Sequence, residues 1–282
     1  MNQVNQFTAE HLRAYEQDGF TIVRNMFSEE EVGLMLEAYD HDVTLQDAAF
    51  DLNDKSSFKT KLSLWYNWGD DVYGAHMRSE RLLSGVKAVL GEEIALYHIK
   101  FMQKEPRVGG AWEWHQDYGY WYKNGFLFPD MMSVMIAVSE ANKANGCLQV
   151  IRGTHKLGRI EHAFSGEQVG ADEDRVNTCL ERGMELVYVE LQPGDALFFH
   201  CNLLHRSAAN LSDRPRFSII GAYNQCQNKP YKDGEPSSTH EPVTALPDDY
   251  ILANGARGLK ENAGFLSPEE DKALQDREDY QN

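Results

Sequence analysis

The segment Ile94–Lys104, IALYHIKFMQK, marks a change of period in the chain. Before it, apolar residues recur at helical spacing. From Glu93 onward they alternate, as they must on a strand whose successive side chains point to opposite faces. Downstream, GGAWEWHQDYGYW (109–121), DMMSVMIAVSE (130–140), GCLQVIRG (146–153), MELVYVELQPGDALFFH (184–200) and RFSIIGAYN (216–224) read as further strands, separated by Gly, Pro and Asn turn signals. Upstream, FTAEHLRAYEQDGF (7–20) reads as a short helix capped by Thr8 and stopped by Gly19. FTIV (20–23) follows as a strand. SEEEVGLMLEAYD (28–40) opens with Ser28 and Glu31 at capping-box spacing, and a further helix fits Ser79–Leu90, ended by Gly91. Helices first and many short strands after predict an α+β fold whose C-terminal two-thirds is a β-sandwich or barrel. One domain is expected over 1–282: a helical part to about 92, a β core over about 93–226 and a surface tail over about 227–282. The polar stretch 165–178 reads as a loop or lid.

Composition narrows the function. At 42% hydrophobic and 11% aromatic, the 282 residues can bury a substantial core. A formal net charge of −17 repels phosphate backbones, so nucleic acid is not an expected partner. The N-terminal residues carry neither a basic nor an apolar leader region, and no apolar run is long enough to cross a bilayer. Cys147, Cys179, Cys201 and Cys226 are far apart and form no CxxC pair. They read as reduced thiols, and a cytoplasmic location is expected. Nothing in the sequence fixes the oligomeric state.

Within WEWHQDYGYW (112–121), His115 and Asp117 stand two apart, so on a strand both would face one side while Gln116 faces the other. One imidazole nitrogen and one carboxylate oxygen can then meet a single cation. An HxD pair alone is common, and its plain reading is a polar pair on a surface strand. The surrounding tryptophans and tyrosines fit a half-buried pocket better. Two ligands hold a metal poorly, so a third must come from elsewhere, and His200 and His205 are both candidates. Arg216 alternates with Ser218 and Ile220 and so faces the core. A buried arginine is rare without an anion, so Arg216 either pairs with one of the chain's carboxylates or grips the carboxylate of a bound acid.

Taken together these stretches resemble the phytanoyl-CoA dioxygenase family of Fe(II)/2-oxoglutarate oxygenases, over roughly Phe20 to Tyr223. WHQDYGYW matches its His-x-Asp segment, with Trp121 placed as in the ectoine hydroxylase branch. NGCLQVIRGTHKLG (145–158) resembles its Asn-Gly-x-Leu stretch, and the eleven residues from His205 to Arg216 match its distal segment. The resemblance implies a double-stranded β-helix (jelly-roll) core and a metal triad of His115, Asp117 and His205. It also implies Fe(II), O2 and 2-oxoglutarate, with Arg216 assisted by Ser207 at the far carboxylate. An aspartate at 117, where halogenating relatives carry a small residue, implies hydroxylation of a C–H bond with release of succinate. Met102 and Ile220 depart from the ectoine branch and Met135 from phytanoyl-CoA hydroxylase itself, so the resemblance reaches the reaction and stops short of the substrate.

Gln116, Trp121, Tyr118, Tyr120, His98, Lys100 and Phe199 are the remaining pocket candidates, with Gln116 and Trp121 expected at the co-substrate. His98 and Lys100 alternate with Ile99 and Phe101, which leaves one polar face on that strand, either solvated or lining the cavity. His155 and His200 read as packed near the site. The expected partner is a small-molecule substrate. The rival readings are another metal enzyme on the same scaffold, such as a zinc hydrolase or an epimerase, and a catalytically silent ligand-binding jelly roll.

Overall fold

The structure is a computed structural model that describes residues 4–53, 58–165, 168–260 and 262–266. Two antiparallel sheets carry the architecture. The larger has seven strands: β1 (Phe20–Val23), β2 (Phe50–Asn53), β3 (Lys59–Trp65), β4 (Ile94–Lys104), β6 (Met131–Ala137), β11 (Ala196–His200) and β13 (Arg216–Gln225), in the order β1-β11-β6-β13-β4-β3-β2. The smaller runs β10-β7-β12-β5, from β5 (Trp112–His115), β7 (Leu148–Ile151), β10 (Leu186–Val189) and β12 (His205–Ser207). A hairpin of β8 (His162–Ser165) and β9 (Gln168–Ala171) stands apart from both.

Strand parity explains the layers. Along β6, Met132, Val134 and Ile136 join one core with Ile99, Phe101, Phe198 and Ile219. That core also takes Val32 and Met35 of α2 (Glu29–His41), Tyr73 and Met77 of α4 (Val72–Met77), and Leu82 and Val86 of α5 (Glu80–Leu90). The alternate residues Met135 and Ala137 meet Leu148, Val150 and Val189 of the small sheet. β6 is therefore buried on both faces, and at about 1.5–3 kcal/mol per fully buried large apolar side chain it anchors helices and small sheet alike. The PGD turn before β11 is tight because Gly194, at φ 86°, packs against the Phe27 carbonyl, which a Cβ would meet at 2.0 Å.

The expected N-terminal helices are present. α1 (Ala9–Asp18) ends at Gly19 in the left-handed region, α2 carries the Ser28–Glu31 capping box, and α5 stops at Gly91. Three expectations are corrected. The stretch 165–178 contains β9 and the start of α7 (Glu173–Glu181), because Asp172 caps a helix whose Val176 and Cys179 are buried. The tail does more than wrap the surface. Val243 bonds the end of β4, Ile251 of α8 (Tyr250–Asn254) enters the helix-side core, and Phe265 bridges to Trp65. Finally, the HxD stretch is not one strand. β5 stops at His115, and Asp117 begins α6 (Asp117–Lys123). No helix among the described residues is long and apolar enough to cross a membrane, and all four cysteines are free thiols.

Candidate metal centre

The strand-to-helix switch at Gln116 sets the site. Its backbone N–H leaves the ladder and donates to His162 Nε2 at 2.9 Å. Its side chain donates to the carbonyls of Gly158 and Asn202 and accepts from the N–H of Ile160. The fully buried Gln116 thus ties three segments together and does not line the cavity, which corrects its expected place at the co-substrate. One residue on, Tyr118 N–H bonds the carbonyl of Cys201, which pins α6 against the end of β11.

His115 and His205 face each other across the β5–β12 ladder as register partners, with ring centroids 4.0 Å apart. Asp117 reaches the same point from the first turn of α6. Its Oδ1 lies 3.8 Å from Nε2 of each histidine. The three ligand atoms all fall within 4.8 Å of one another, and all three residues are buried. Every other polar atom of the trio is engaged. His115 Nδ1 bonds the Glu113 carbonyl at 2.7 Å, His205 Nδ1 bonds the Leu203 carbonyl at 2.9 Å, and Ser133 donates to Asp117 Oδ2 at 2.6 Å. A carbonyl can only accept, so each Nδ1 carries the proton and each Nε2 presents a lone pair to the shared gap. Burial pushes the pKa of both histidines down, His115 well below its ordinary range, with the neighbouring imidazole adding to the effect there. The rings are therefore neutral at pH 7, as metal ligands must be. Two lone pairs and one carboxylate oxygen converging in a buried gap fit a divalent cation, and this donor set with free positions suits ferrous iron.

The same cavity contains Arg216, Ser207, Trp121, His98, Lys100, Tyr120 and Phe199. Arg216 is 4% exposed. Its Nη1 donates to the Gly146 carbonyl at 2.6 Å, Nε has no partner, and no carboxylate pairs with it among the described residues. Burial pushes its pKa down to about 10, still fully charged at neutral pH. Ser218, two residues along the same strand face, also has an unpartnered hydroxyl. Met102, Met135 and Ile220, the positions that depart from the named branches, line the cavity too.

Of the two histidines left open by spacing, His205 joins the pair. His200 instead accepts from the N–H of Asn202 and packs beside Tyr15 and His155. Tyr118 turns aside to bond the Phe126 carbonyl. Sequence reasoning missed Ser133, although a lone serine on the inward face of an otherwise apolar strand was a legible signal. It also missed Gln168 and Val169 of β9 and Leu266 of the tail, which close part of the cavity from segments read as irregular.

The phytanoyl-CoA dioxygenase (PhyH) family profile matches residues 15–218. An ectoine dioxygenase of Bordetella parapertussis is 23% identical over 235 residues, covering 78% of this chain and 76% of its own length. An L-proline trans-4-hydroxylase of Streptomyces griseoviridis is 25% identical over 201 residues, covering 64% and 75%. The crystal structure of EctD from S. alaskensis with 2-oxoglutarate and 5-hydroxyectoine superposes with a TM-score of 0.67 at 19% identity, covering 88% of this chain and 89% of that one. Matched over well more than half its length, the chain belongs to the phytanoyl-CoA dioxygenase family, whose members are non-haem Fe(II)/2-oxoglutarate-dependent dioxygenases.

Proposed function

We propose that this protein hydroxylates an unactivated C–H bond of a small molecule while converting 2-oxoglutarate to succinate, on a double-stranded β-helix formed by the two facing sheets. One observation carries the reading. A buried His-Asp-His gap shares its cavity with a buried guanidinium that has no carboxylate partner among the described residues. Similarity to an ectoine dioxygenase and an L-proline trans-4-hydroxylase supports small-molecule hydroxylation without naming the substrate.

In this reading His115, Asp117 and His205 hold the iron, and Ser133 keeps Asp117 oriented so that a single oxygen faces the gap. Bound there, Fe(II) would supply oxygen activation coupled to oxoglutarate decarboxylation. Arg216 takes the far carboxylate of oxoglutarate in a charge-assisted pair, with the Ser207 and Ser218 hydroxyls beside it. The wall of Phe199, Met135, Leu148 and Ile220 keeps water from the reacting groups, and Tyr120, held by the Val169 carbonyl, packs its ring against His115.

The test is an anaerobic titration with Fe(II) and then oxoglutarate, followed by admission of oxygen and assay of succinate. Wild type is expected to bind both and release succinate. Asp117→Ala is expected to abolish succinate formation, while His200→Ala keeps most of it. Activity with Zn(II) under argon, independent of oxoglutarate, overturns the reading in favour of a zinc hydrolase. Failure to bind either Fe(II) or oxoglutarate leaves only a ligand-binding protein.

A further inference from the structure

The cavity has more positive charge than the oxygenase chemistry uses. Among the described residues that line it, Asp117 is the only carboxylate, against Lys100, Arg206 and Arg216. This local sign is opposite to the net charge of −17. Arg206 is engaged elsewhere, since its Nε donates to Gln149 and its guanidinium lies over Trp114. On the proposed function, Asp117 and dianionic oxoglutarate bring three negative charges, and a ferrous ion with Arg216 brings three positive ones. That set is neutral and leaves Lys100 and Arg206 over; Arg206 is already held by Gln149 and Trp114, and Lys100 is not.

Lys100 makes no hydrogen bond or ion pair with any described residue, although it is half-buried. Its strand neighbours are Ile220 on one side and Leu64 on the other, so it receives nothing polar from the ladder's inward face. Lys100 also stands at a boundary. Arg216, Ser218 and Ile220 occupy β13, whereas on the far side of Lys100 the cavity continues over Leu64, Leu62 and Phe50 of β3 and β2, with Tyr66 and Leu266. That extension is largely apolar and lies on the opposite side of β4 from Arg216. A half-buried ammonium beside an apolar pocket suits a carboxylate whose body is hydrophobic, because such a ligand would displace the water that otherwise screens the charge.

We infer that Lys100 anchors the substrate, and that the substrate is a small carboxylic acid bearing one anionic group, its apolar body against the Leu62–Leu64 wall. This rests on the proposed function, because it assigns Arg216 to oxoglutarate. The test uses enzyme loaded anaerobically with Fe(II) and oxoglutarate. It is titrated with matched pairs that differ only in charge: cyclohexanecarboxylate against cyclohexanecarboxamide, phenylacetate against phenylacetamide, and N-acetyl-L-leucine against N-acetyl-L-leucinamide. Binding is read from tryptophan fluorescence, since Trp112 and Trp121 line the cavity. Wild type is expected to bind the acids roughly 10–100-fold more tightly than the amides, the range of a charge-assisted bond. Lys100→Met removes that preference with oxoglutarate affinity unchanged, and Lys100→Arg keeps it. A wild type with no preference for the acids overturns the inference. So does a Lys100→Met variant that loses oxoglutarate affinity and keeps the preference, since Lys100 would then serve the co-substrate. A wild type that binds no oxoglutarate, seen before any probe is added, overturns the oxygenase reading and this inference with it.

Discussion

Two arginines in this protein are equally buried and differently provided for. Arg81, on the helical side, meets Glu31 in a two-pronged pair, Nη2 to Oε1 at 2.8 Å and Nη1 to Oε2 at 3.1 Å. It also donates to the carbonyls of Met26 and Asp248. Arg216, between the sheets, has one carbonyl and, among the described residues, no carboxylate. Taking a guanidinium out of water costs several kcal/mol, whatever side of the sheet it lies on. At Arg81 the fold supplies the compensating anion. At Arg216 it does not among the described residues, and on the proposed function the compensation comes from oxoglutarate. On that reading the contrast separates a structural cation from a binding one.

Removing a partner from the complete pair is expected to have the largest effect. Arg81→Met strands Glu31, 4% exposed, beside an apolar side chain, and such losses run at about 3–5 kcal/mol. Urea denaturation at pH 7 measures it. A loss below about 1 kcal/mol, the range of exposed ion pairs, would break the comparison, because Arg81 would then be no better provided for than a surface charge.

Arg216→Met is expected to act in the opposite sense on stability. It replaces an uncompensated buried charge with an apolar side chain, so the apo protein should be unchanged or more stable. Oxoglutarate binding should weaken roughly 10–100-fold, as a lost charge-assisted pair requires. The decisive readout is the thermal shift caused by oxoglutarate, which should be present in wild type and largely absent in the variant. A destabilised apo variant would mean that Arg216 is structural after all.

Ser133→Ala sharpens the picture at the other end of the cavity. On the proposed function the serine, by occupying Oδ2, leaves Asp117 Oδ1 for the metal. Its loss is expected to weaken Fe(II) affinity about tenfold, the lower end for outer partners of metal ligands. Equilibrium metal titration checks this, and unchanged affinity would show that α6 alone orients the carboxylate.

How much of this was legible beforehand follows from which interactions are local. The alternation of β4 and β6 and the Ser28–Glu31 box are short-range patterns, and the structure reproduces them. The break at Gln116 was not legible, because it depends on His162, Gly158, Ile160 and Asn202, all more than 40 residues away in sequence. The HxD pair converges all the same, since a strand end and a helix start can aim two residues at one point as well as a strand can. Spacing could not choose between His200 and His205; the ladder does, by pairing His205 with His115. Arg216 was legible as buried, but whether the fold would give it a carboxylate was not, for a partner can come from any element.

Acidification probes the two arginines most gently. Burial alone would raise the Glu31 carboxyl, but its bonds to Arg81 and Ser28 outweigh burial and hold it below its ordinary value. Because folding lowers this pKa, the pair's contribution to stability is complete above the ordinary glutamate range, about 4.3. It is lost as pH falls through the lower folded value. Glu31→Gln should therefore be less stable than wild type at neutral pH and lose less on going from neutral to about pH 3.5, where an unfolded glutamate is largely protonated. Arg216 has no carboxylate partner among the described residues, so Arg216→Met should leave the acid slope of the apo protein parallel to wild type. The two slopes, measured by urea unfolding at a series of pH values, differ only if one arginine depends on a titrating partner and the other does not. Parallel slopes for Glu31→Gln and wild type would mean that the Arg81 site carries no more proton linkage than Arg216, and the distinction between a paired cation and a waiting one would then have to rest on ligand binding alone.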